Sequence, residues 1–157
     1  MATHSILFVC LGNICRSPTA EGVCRQFLSK RNLLEQFEVD SAGTGNWHIG
    51  SPPDKRAQLA ASARGIDISS LRARQVSDVD IHRFDYIIAM DHSNRRELEA
   101  LAGQAQAHKV RLLLEFTEII GLDEVPDPYY GGDRGFDQVL DLIEEASEGL
   151  ITHILKP

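Results

Sequence analysis

The chain has 157 residues, of which 43% are hydrophobic and 25% are charged, an ordinary composition for one globular domain that excludes disordered, collagen-like and coiled-coil proteins. Its 16 basic and 23 acidic side chains give a formal net charge of −7, which argues against nucleic acid or an anionic membrane as a partner. The N-terminus lacks a basic region and its apolar run, 6–11, is too short for a signal-peptide core, so we expect a cytoplasmic protein.

Strands and helices are predicted to alternate along the chain. The first strand is the apolar, β-branched run 5–9, which is typical of a buried strand in a parallel sheet. The first helix is predicted to have Ser17 as its N-cap and Pro18 in its first position, and to end near Arg31. The later strands are predicted at 37–41, 86–90 and 109–114, and the later helical segments at 54–64, from 77, at 91–101 and at 136–153.

This alternation predicts an α/β fold in which right-handed crossovers join four parallel strands with helices on both faces. We find no linker, repeat or second domain, so residues 1–157 are interpreted as one domain. Ligands of such sheets bind beyond the carboxyl ends of the strands. The turn 10–17 lies at one such end.

That turn has the features of a phosphate-binding loop. Cys10 ends the strand and Arg16 lies at the start of the helix, while Gly12 and Asn13 tolerate the positive φ of a sharp turn. Inward N–H groups and the helix dipole would form a cradle for a tetrahedral dianion, and the planar Arg16 guanidinium would grip two of its oxygens. Residues 1–114 hold 14 basic and 12 acidic side chains, whereas 115–148 hold 11 acidic side chains and one basic side chain, so the anion site is expected in the first part.

The same cradle would make Cys10 a nucleophile. A thiol among N–H groups and beside a cation is expected to ionise at neutral pH without a partner base, and Ser17 would hydrogen-bond the thiolate. The alternative is an ordinary strand-to-helix turn with a buried cysteine. The preceding strand, the internal glycine and the Ser17-Pro18 helix start favour the phosphate loop.

Asp127 is the candidate general acid that an ester cleavage requires. Pro126 and Pro128 flank it and stiffen its loop, and Tyr129 and Tyr130 follow as aromatic walls for a planar substrate. An Asp-Pro pair by itself would be a plain turn initiator. The phosphate loop is what favours the catalytic interpretation.

The motifs Cys10–Pro18 and Asp127–Tyr130 together resemble those of the low-molecular-weight protein tyrosine phosphatase family. The resemblance continues in the family's order over essentially the whole chain, through 40–43, 47–50, 53–57, 73–75 and 85–91. It implies the family's four-stranded, Rossmann-type phosphotyrosine phosphatase I-like fold. It also implies hydrolysis of phosphotyrosine proteins without metal or cofactor, by a monomer or a weakly self-associating protein.

The resemblance also assigns roles to matching positions. Cys10 would form the phosphocysteine, Arg16 would bind the phosphoryl group, and Asp127 would protonate the leaving group and then activate water. The remaining positions would shape the phosphate loop (Leu11, Gly12, Asn13, Ile14, Cys15 and Ser17), brace it (Ser41) and line the cleft (Trp47, Tyr129 and Tyr130).

Several positions stay open. Cys15 would either form the reversible disulfide with Cys10 that the resemblance implies or simply fill the loop interior, and Cys24 is interpreted as core. Leu71 stands where many relatives carry a histidine that supports the loop asparagine, which predicts a looser loop or a substitute in Ser70. His48 is expected at the surface. A helix N-cap is predicted at Asp91, with a contact to the site as a second role.

The sequence disfavours two other functions. An arsenate reductase built on such a loop needs further cysteines to pass a disulfide outward, and none follows Cys24. A non-catalytic phosphotyrosine-binding module would be expected to lack Cys10 or Asp127, and both are present.

Overall fold

The computed structural model describes residues 2–118, 121–130 and 134–156. Within them, four parallel strands form one sheet, as predicted, and the order of the strands is β2-β1-β3-β4. The strands are β1 (His4–Cys10), β2 (Phe37–Gly43), β3 (Tyr86–Ala89) and β4 (Val110–Leu112). The helices are α1 (Arg16–Lys30), α2 (Lys55–Ser62), α3 (Asp78–Arg83), α4 (His92–Gln106) and α5 (Arg134–Leu155). None of these described helices combines the length and apolar character needed to cross a bilayer.

The side chains of β1 alternate between two hydrophobic cores. Ile6 and Phe8 pack with residues of α1 and α5 on one face, and Leu7 and Val9 pack with α3 and α4 on the other. All four are fully buried, and each such burial stabilises the fold by roughly 1.5–3 kcal/mol. The predicted two-faced sheet is therefore confirmed, and the end of β1 is a rigid point from which Cys10 projects.

Some predicted boundaries differ from those observed. β4 ends at Leu112, and 113–116 form a 3₁₀ turn, because the Glu115 carboxylate accepts the Leu112 N–H at 2.7 Å. α4 continues to Gln106, past the predicted end, with a non-helical residue at Gly103. The predicted loop after Pro126 contains a 3₁₀ turn, Pro128–Tyr130, and its last residues, 131–132, lie outside the described residues.

The helix caps were predicted correctly at two positions and wrongly at one. Asp54 caps α2 by accepting the Arg56 N–H, and Asp91 caps α4 by accepting the Asn94 N–H. The N-cap of α1, however, is Cys15, and Ser17 lies inside the first turn. The reason is that the Ser17 hydroxyl is engaged by the neighbouring thiol and strand rather than by its own helix.

The Arg74 side chain ties the segment before α3 to the end of the sheet. The Arg74 guanidinium donates to Asp80 at 2.9 Å and to Asp40 at 3.0 Å. The backbone carbonyl of Arg74 also accepts the Gly43 N–H at 2.8 Å. Burial alone would raise the pKa of Asp80, but the hydrogen bonds from Arg74 and the Ser77 N–H outweigh it and lower this pKa. Asp80 is therefore bound as a carboxylate.

We expect Asp80→Asn to reduce the free energy of unfolding at neutral pH by about 1–3 kcal/mol, because a buried charge-assisted hydrogen bond is lost. Since the pKa of Asp80 is lower in the folded chain than its ordinary 3.8, the wild-type advantage should be complete above that value and disappear as the pH falls through the folded pKa. Urea unfolding of both proteins across this pH range measures the effect. An advantage that persists unchanged in acid would contradict it.

Candidate active site

The segment 10–17 joins the end of β1 to the start of α1, beside the end of β2. Backbone bonds hold it there, because Thr44 N–H donates to the Cys10 carbonyl and Gly45 N–H to the Leu11 carbonyl, each at 2.9 Å. A Cβ on Gly43 would lie 2.7 Å from the Leu11 oxygen, so only glycine permits this close approach. The loop is thereby fixed against the sheet.

The turn has positive φ at Asn13 (57°), and Gly12 does not share it. Of the two residues expected to tolerate positive φ, Asn13 is the one that adopts it. A Cβ on Gly12 would instead lie 3.0 Å from the His48 ring, so this glycine makes room for a neighbouring side chain.

The Cys10 thiol lies under this loop, 2% exposed. Its Sγ accepts the Asn13 N–H at 3.3 Å and the Ser17 N–H at 3.5 Å, and it lies 3.0 Å from the Ser17 Oγ. Three polar groups thus converge on one sulfur at the N-terminus of a 15-residue helix. Such an environment stabilises negative charge on sulfur.

The Asn13 side chain connects the loop to three other parts of the chain. Its Nδ2 donates to the Ser17 Oγ at 2.8 Å and to the Ser41 Oγ at 3.0 Å, and its Oδ1 accepts the Arg74 N–H at 2.9 Å. The Ser41 hydroxyl donates in turn to Glu21 at 2.8 Å. Asn13 and Ser41 therefore meet as expected, with Glu21 and Arg74 as additional partners.

Sequence reasoning missed Glu21. It occupies a buried stripe of α1 with Ser17, Cys24 and Leu28, and a carboxyl at such spacing among buried positions is a signal for an internal hydrogen-bond partner. Burial raises its pKa, an effect that the Ser41 and Arg25 contacts only partly offset.

Leu71 takes no part in this network. Its side chain is partly buried and packs against the hydrophobic core, and Ser70 is exposed. The Asn13 amide is nevertheless hydrogen-bonded at both ends, through Ser41 and Arg74. The network therefore requires neither a histidine at position 71 nor the hydroxyl of residue 70.

Arg16 is almost completely buried and lies between two carboxylates. Its Nη1 donates to Asp91 at 2.7 Å and to the Val125 carbonyl at 3.0 Å, and its Nη2 lies 3.6 Å from Asp127. Burial alone would lower the pKa of Arg16, but the interactions with Cys10, Asp91 and Asp127 outweigh it and raise this pKa. Asp91 thus orients the guanidinium in addition to capping α4.

Asp127 lies at the cavity mouth with its side chain one-third exposed. Its Oδ1 accepts the Tyr129 N–H at 3.1 Å, which closes a local turn. Upstream, the Val125 N–H donates to the Met90 carbonyl at 2.8 Å, at the end of β3. The carboxyl is accordingly held near Arg16 and remains open to water.

A cavity of about 260 Å³ opens above Cys10, with Arg16 in its wall and Asp127 at its mouth. Apolar and aromatic side chains form most of the remaining wall, and the His48 ring centroid lies 6.4 Å from that of Tyr129. His48 is partly exposed, in keeping with the expected surface position, and it also lines the cavity. The Tyr130 side chain lies outside the described residues. The lining residues are Cys10, Leu11, Gly12, Ile14, Cys15, Arg16, Trp47, His48, Asp127 and Tyr129.

All three cysteines are free thiols in this structure. Burial, with a further contribution from Asp54 and Cys10, raises the pKa of Cys15 well above its ordinary range. Burial likewise raises the pKa of Cys24 to about 12. Cys15 is therefore a neutral thiol beside Cys10, and Cys24 belongs to the core.

Replacing Asn13 should separate the effect of its amide from that of its backbone. Asn13→Gly and Asn13→Ala both remove three hydrogen bonds, each contributing about 1 kcal/mol, and alanine also adopts the left-handed backbone at a cost of roughly 1–2 kcal/mol. We expect both to lower the melting temperature, alanine more than glycine. A wild-type melting temperature in the glycine variant would show that the amide does not hold the loop.

Comparisons with known proteins match almost the whole chain to protein tyrosine phosphatases. A family model described as low molecular weight phosphotyrosine protein phosphatase matches residues 5–157. The chain is 45% identical over 152 residues to the low molecular weight protein-tyrosine-phosphatase YfkJ of Bacillus subtilis, covering 97% of this chain and 96% of that protein. It is 43% identical over 144 residues to the human low molecular weight phosphotyrosine protein phosphatase, covering 88% and 87%. The crystal structure of a protein tyrosine phosphatase from Entamoeba histolytica, with Hepes in its active site, matches with a TM-score of 0.92 and 42% identity over 96% of each chain.

Proposed function

The chain belongs to the low molecular weight phosphotyrosine protein phosphatase family, and from this premise we propose that it hydrolyses phosphotyrosine and other aryl phosphate monoesters through a phosphocysteine on Cys10. One observation carries the mechanism. The Cys10 thiol forms the floor of a cavity whose wall and mouth hold Arg16 and Asp127, 3.6 Å apart. Nucleophile, phosphate ligand and acid thus surround one space.

In the first step the Cys10 thiolate attacks phosphorus, so that an S–P bond forms while the bond from phosphorus to the phenolic oxygen breaks. Asp127 enters this step protonated and gives its proton to the departing phenolate. In the second step water attacks the phosphocysteine. Asp127, now a carboxylate, takes a proton from that water, the S–P bond breaks, and inorganic phosphate leaves with the thiolate restored.

The loop and Arg16 stabilise the charge that moves during these steps. The Asn13 and Ser17 N–H groups already point at the sulfur, and the start of α1 adds positive potential. Arg16 offers a planar fork to two phosphoryl oxygens, and Asp91 holds one side of it in place. The transferring group would thus lie among donors oriented before it binds.

The shape and lining of the cavity support an aryl substrate. The 2% exposure of Cys10 means that only an ester with a long reach brings its phosphorus to the sulfur. Leu11, Ile14, Trp47 and Tyr129 offer apolar and aromatic surface to a phenyl ring. We accordingly propose phosphotyrosine proteins as substrates, acted on in the cytoplasm by residues 1–157 as one phosphatase domain.

Cys10→Ser should abolish turnover of 4-nitrophenyl phosphate, because a neutral hydroxyl replaces the ionised sulfur. Cys24→Ser is the matched control, since it changes a buried thiol outside the cavity and should leave turnover close to wild type. Both are assayed with reductant and with EDTA, after circular dichroism has shown that they fold. Turnover in the Cys10 variant equal to wild type would exclude the mechanism.

Asp127→Ala should lower turnover of aryl phosphates by about 10²–10⁴-fold, the range in which general acid–base catalysis contributes. The loss should be largest for basic leaving groups, which depart only with a proton. Acid quenching during turnover should trap phosphate on Cys10 of the wild type. A variant that keeps full activity on phenyl phosphate would remove Asp127 from the mechanism.

A further inference from the structure

We propose that Arg56, in the first turn of α2, is a positioning residue that holds the turn 127–130, and with it the Asp127 carboxyl, over the Cys10 floor of the cavity. This inference rests on the proposed role of Asp127 as the acid. Arg56 does not line the cavity among the described residues. Its effect on the reaction would pass through Asp127.

Arg56 belongs to a chain of contacts that begins at the phosphate loop. The Asp54 N–H donates to the Ile14 carbonyl at 2.8 Å, which fixes Asp54 beside that loop. The Asp54 carboxylate then receives Arg56 Nε and Nη2, each at 3.1 Å, as a two-pronged ion pair. The guanidinium is thereby oriented from the side of the nucleophile.

From there the guanidinium reaches the turn 127–130, which we call the acid turn because it carries Asp127. Its Nη2 donates to the Tyr129 carbonyl at 3.1 Å, and the N–H of the same residue donates to Asp127. Its Cζ lies 5.5 Å from the centre of the Tyr129 ring and 4.8 Å from that of Phe136, in the first part of α5. One cation thus contacts the acid turn by a hydrogen bond and by ring stacking.

The acid turn depends on such an external contact because of its own sequence. Pro126 and Pro128 have no N–H, so neither can donate a backbone hydrogen bond that would hold the turn. Upstream, the turn is anchored at Val125, which bonds to Met90 and to Arg16. Downstream, Arg56 provides a contact at Tyr129 that joins the turn to the phosphate-loop side of the cavity.

The expected consequence is specific to leaving-group protonation. A displaced Asp127 donates its proton less well, which slows esters of basic phenols and leaves esters of acidic phenols almost unaffected. Nucleophilic attack and phosphate binding use Cys10 and Arg16, which Arg56 does not contact. The ratio of kcat/KM for 2,4-dinitrophenyl phosphate to that for phenyl phosphate therefore reports the position of the acid.

Arg56→Met is the test, because methionine keeps an apolar stem against the two rings and removes every donor. We expect kcat/KM for phenyl phosphate to fall by at least about tenfold, and kcat/KM for 2,4-dinitrophenyl phosphate to stay within about twofold of wild type. In the pH profile, the fall of kcat/KM that marks deprotonation of the acid should become less steep. A combined Arg56→Met, Asp127→Asn variant should be no slower than Asp127→Asn alone, because both changes act on the same function, protonation of the leaving group by Asp127.

Arg64→Met is the matched control. Arg64 also ties the α2 region to α5, through Asp141 at 2.9 Å and Glu144 at 3.1 Å, but it does not contact the turn 127–130. Its variant should keep the wild-type ratio of the two substrates even if its melting temperature falls. A changed ratio in this control would overturn the inference, because general loosening of α2 would then explain the effect.

Two results would overturn the role of Arg56 while leaving the proposed function intact. They are an unchanged ratio in Arg56→Met, or an equal loss on both substrates, in either case with Asp127→Asn still selective for the acidic leaving group. If Asp127→Asn itself shows no such selectivity, the proposed acid fails and the inference with it. Should Arg56→Met not fold, Arg56→Leu replaces it, since leucine also keeps an apolar side chain and removes every donor, and a wild-type ratio there overturns the inference.

Discussion

The hydrogen bonds of the Asn13 side chain are the interaction on which the rest of the site depends. Asn13 takes up a left-handed backbone conformation, which turns its own N–H toward the Cys10 sulfur. Its buried amide then joins the loop to α1, to β2 and to the segment before α3. Because each buried polar group left without a partner costs about 1–3 kcal/mol, the partly bonded arrangements are disfavoured and the loop keeps one shape.

The nucleophile and the acid are supported in different ways, and the difference suits their proposed chemistry. Cys10 ends a central strand that is buried on both faces, so packing on both sides holds the backbone that carries its sulfur. Asp127 lies on a proline-flanked turn at the cavity mouth, where its carboxyl is one-third exposed. The second step requires water at that carboxyl, which a fully buried acid would exclude.

The proposed attraction for phosphate is local, although the whole chain is acidic. The net charge of −7 arises largely in residues 115–148, a segment that includes Asp127. At the loop, the N–H groups, the start of α1 and the Arg16 guanidinium provide the positive potential. Net charge therefore describes the solubility of the protein and not the preference of its pocket.

The sequence by itself determined the alternating α/β pattern, the loop between Cys10 and Arg16 and the proline-flanked Asp127, because each of these depends on residues that are close together in the chain. Only the tertiary structure decided which distant groups complete the site. Asp91 meets Arg16 across 75 positions, Arg74 meets Asn13 across 61 and Arg56 meets Tyr129 across 73. The Ser17 hydroxyl makes the contact with the thiol that the sequence predicted, but Cys15 and not Ser17 is the N-cap of α1. The reason is that the strand order β2-β1-β3-β4 sets which loops meet at the carboxyl edge of the sheet, and no local periodicity specifies that order.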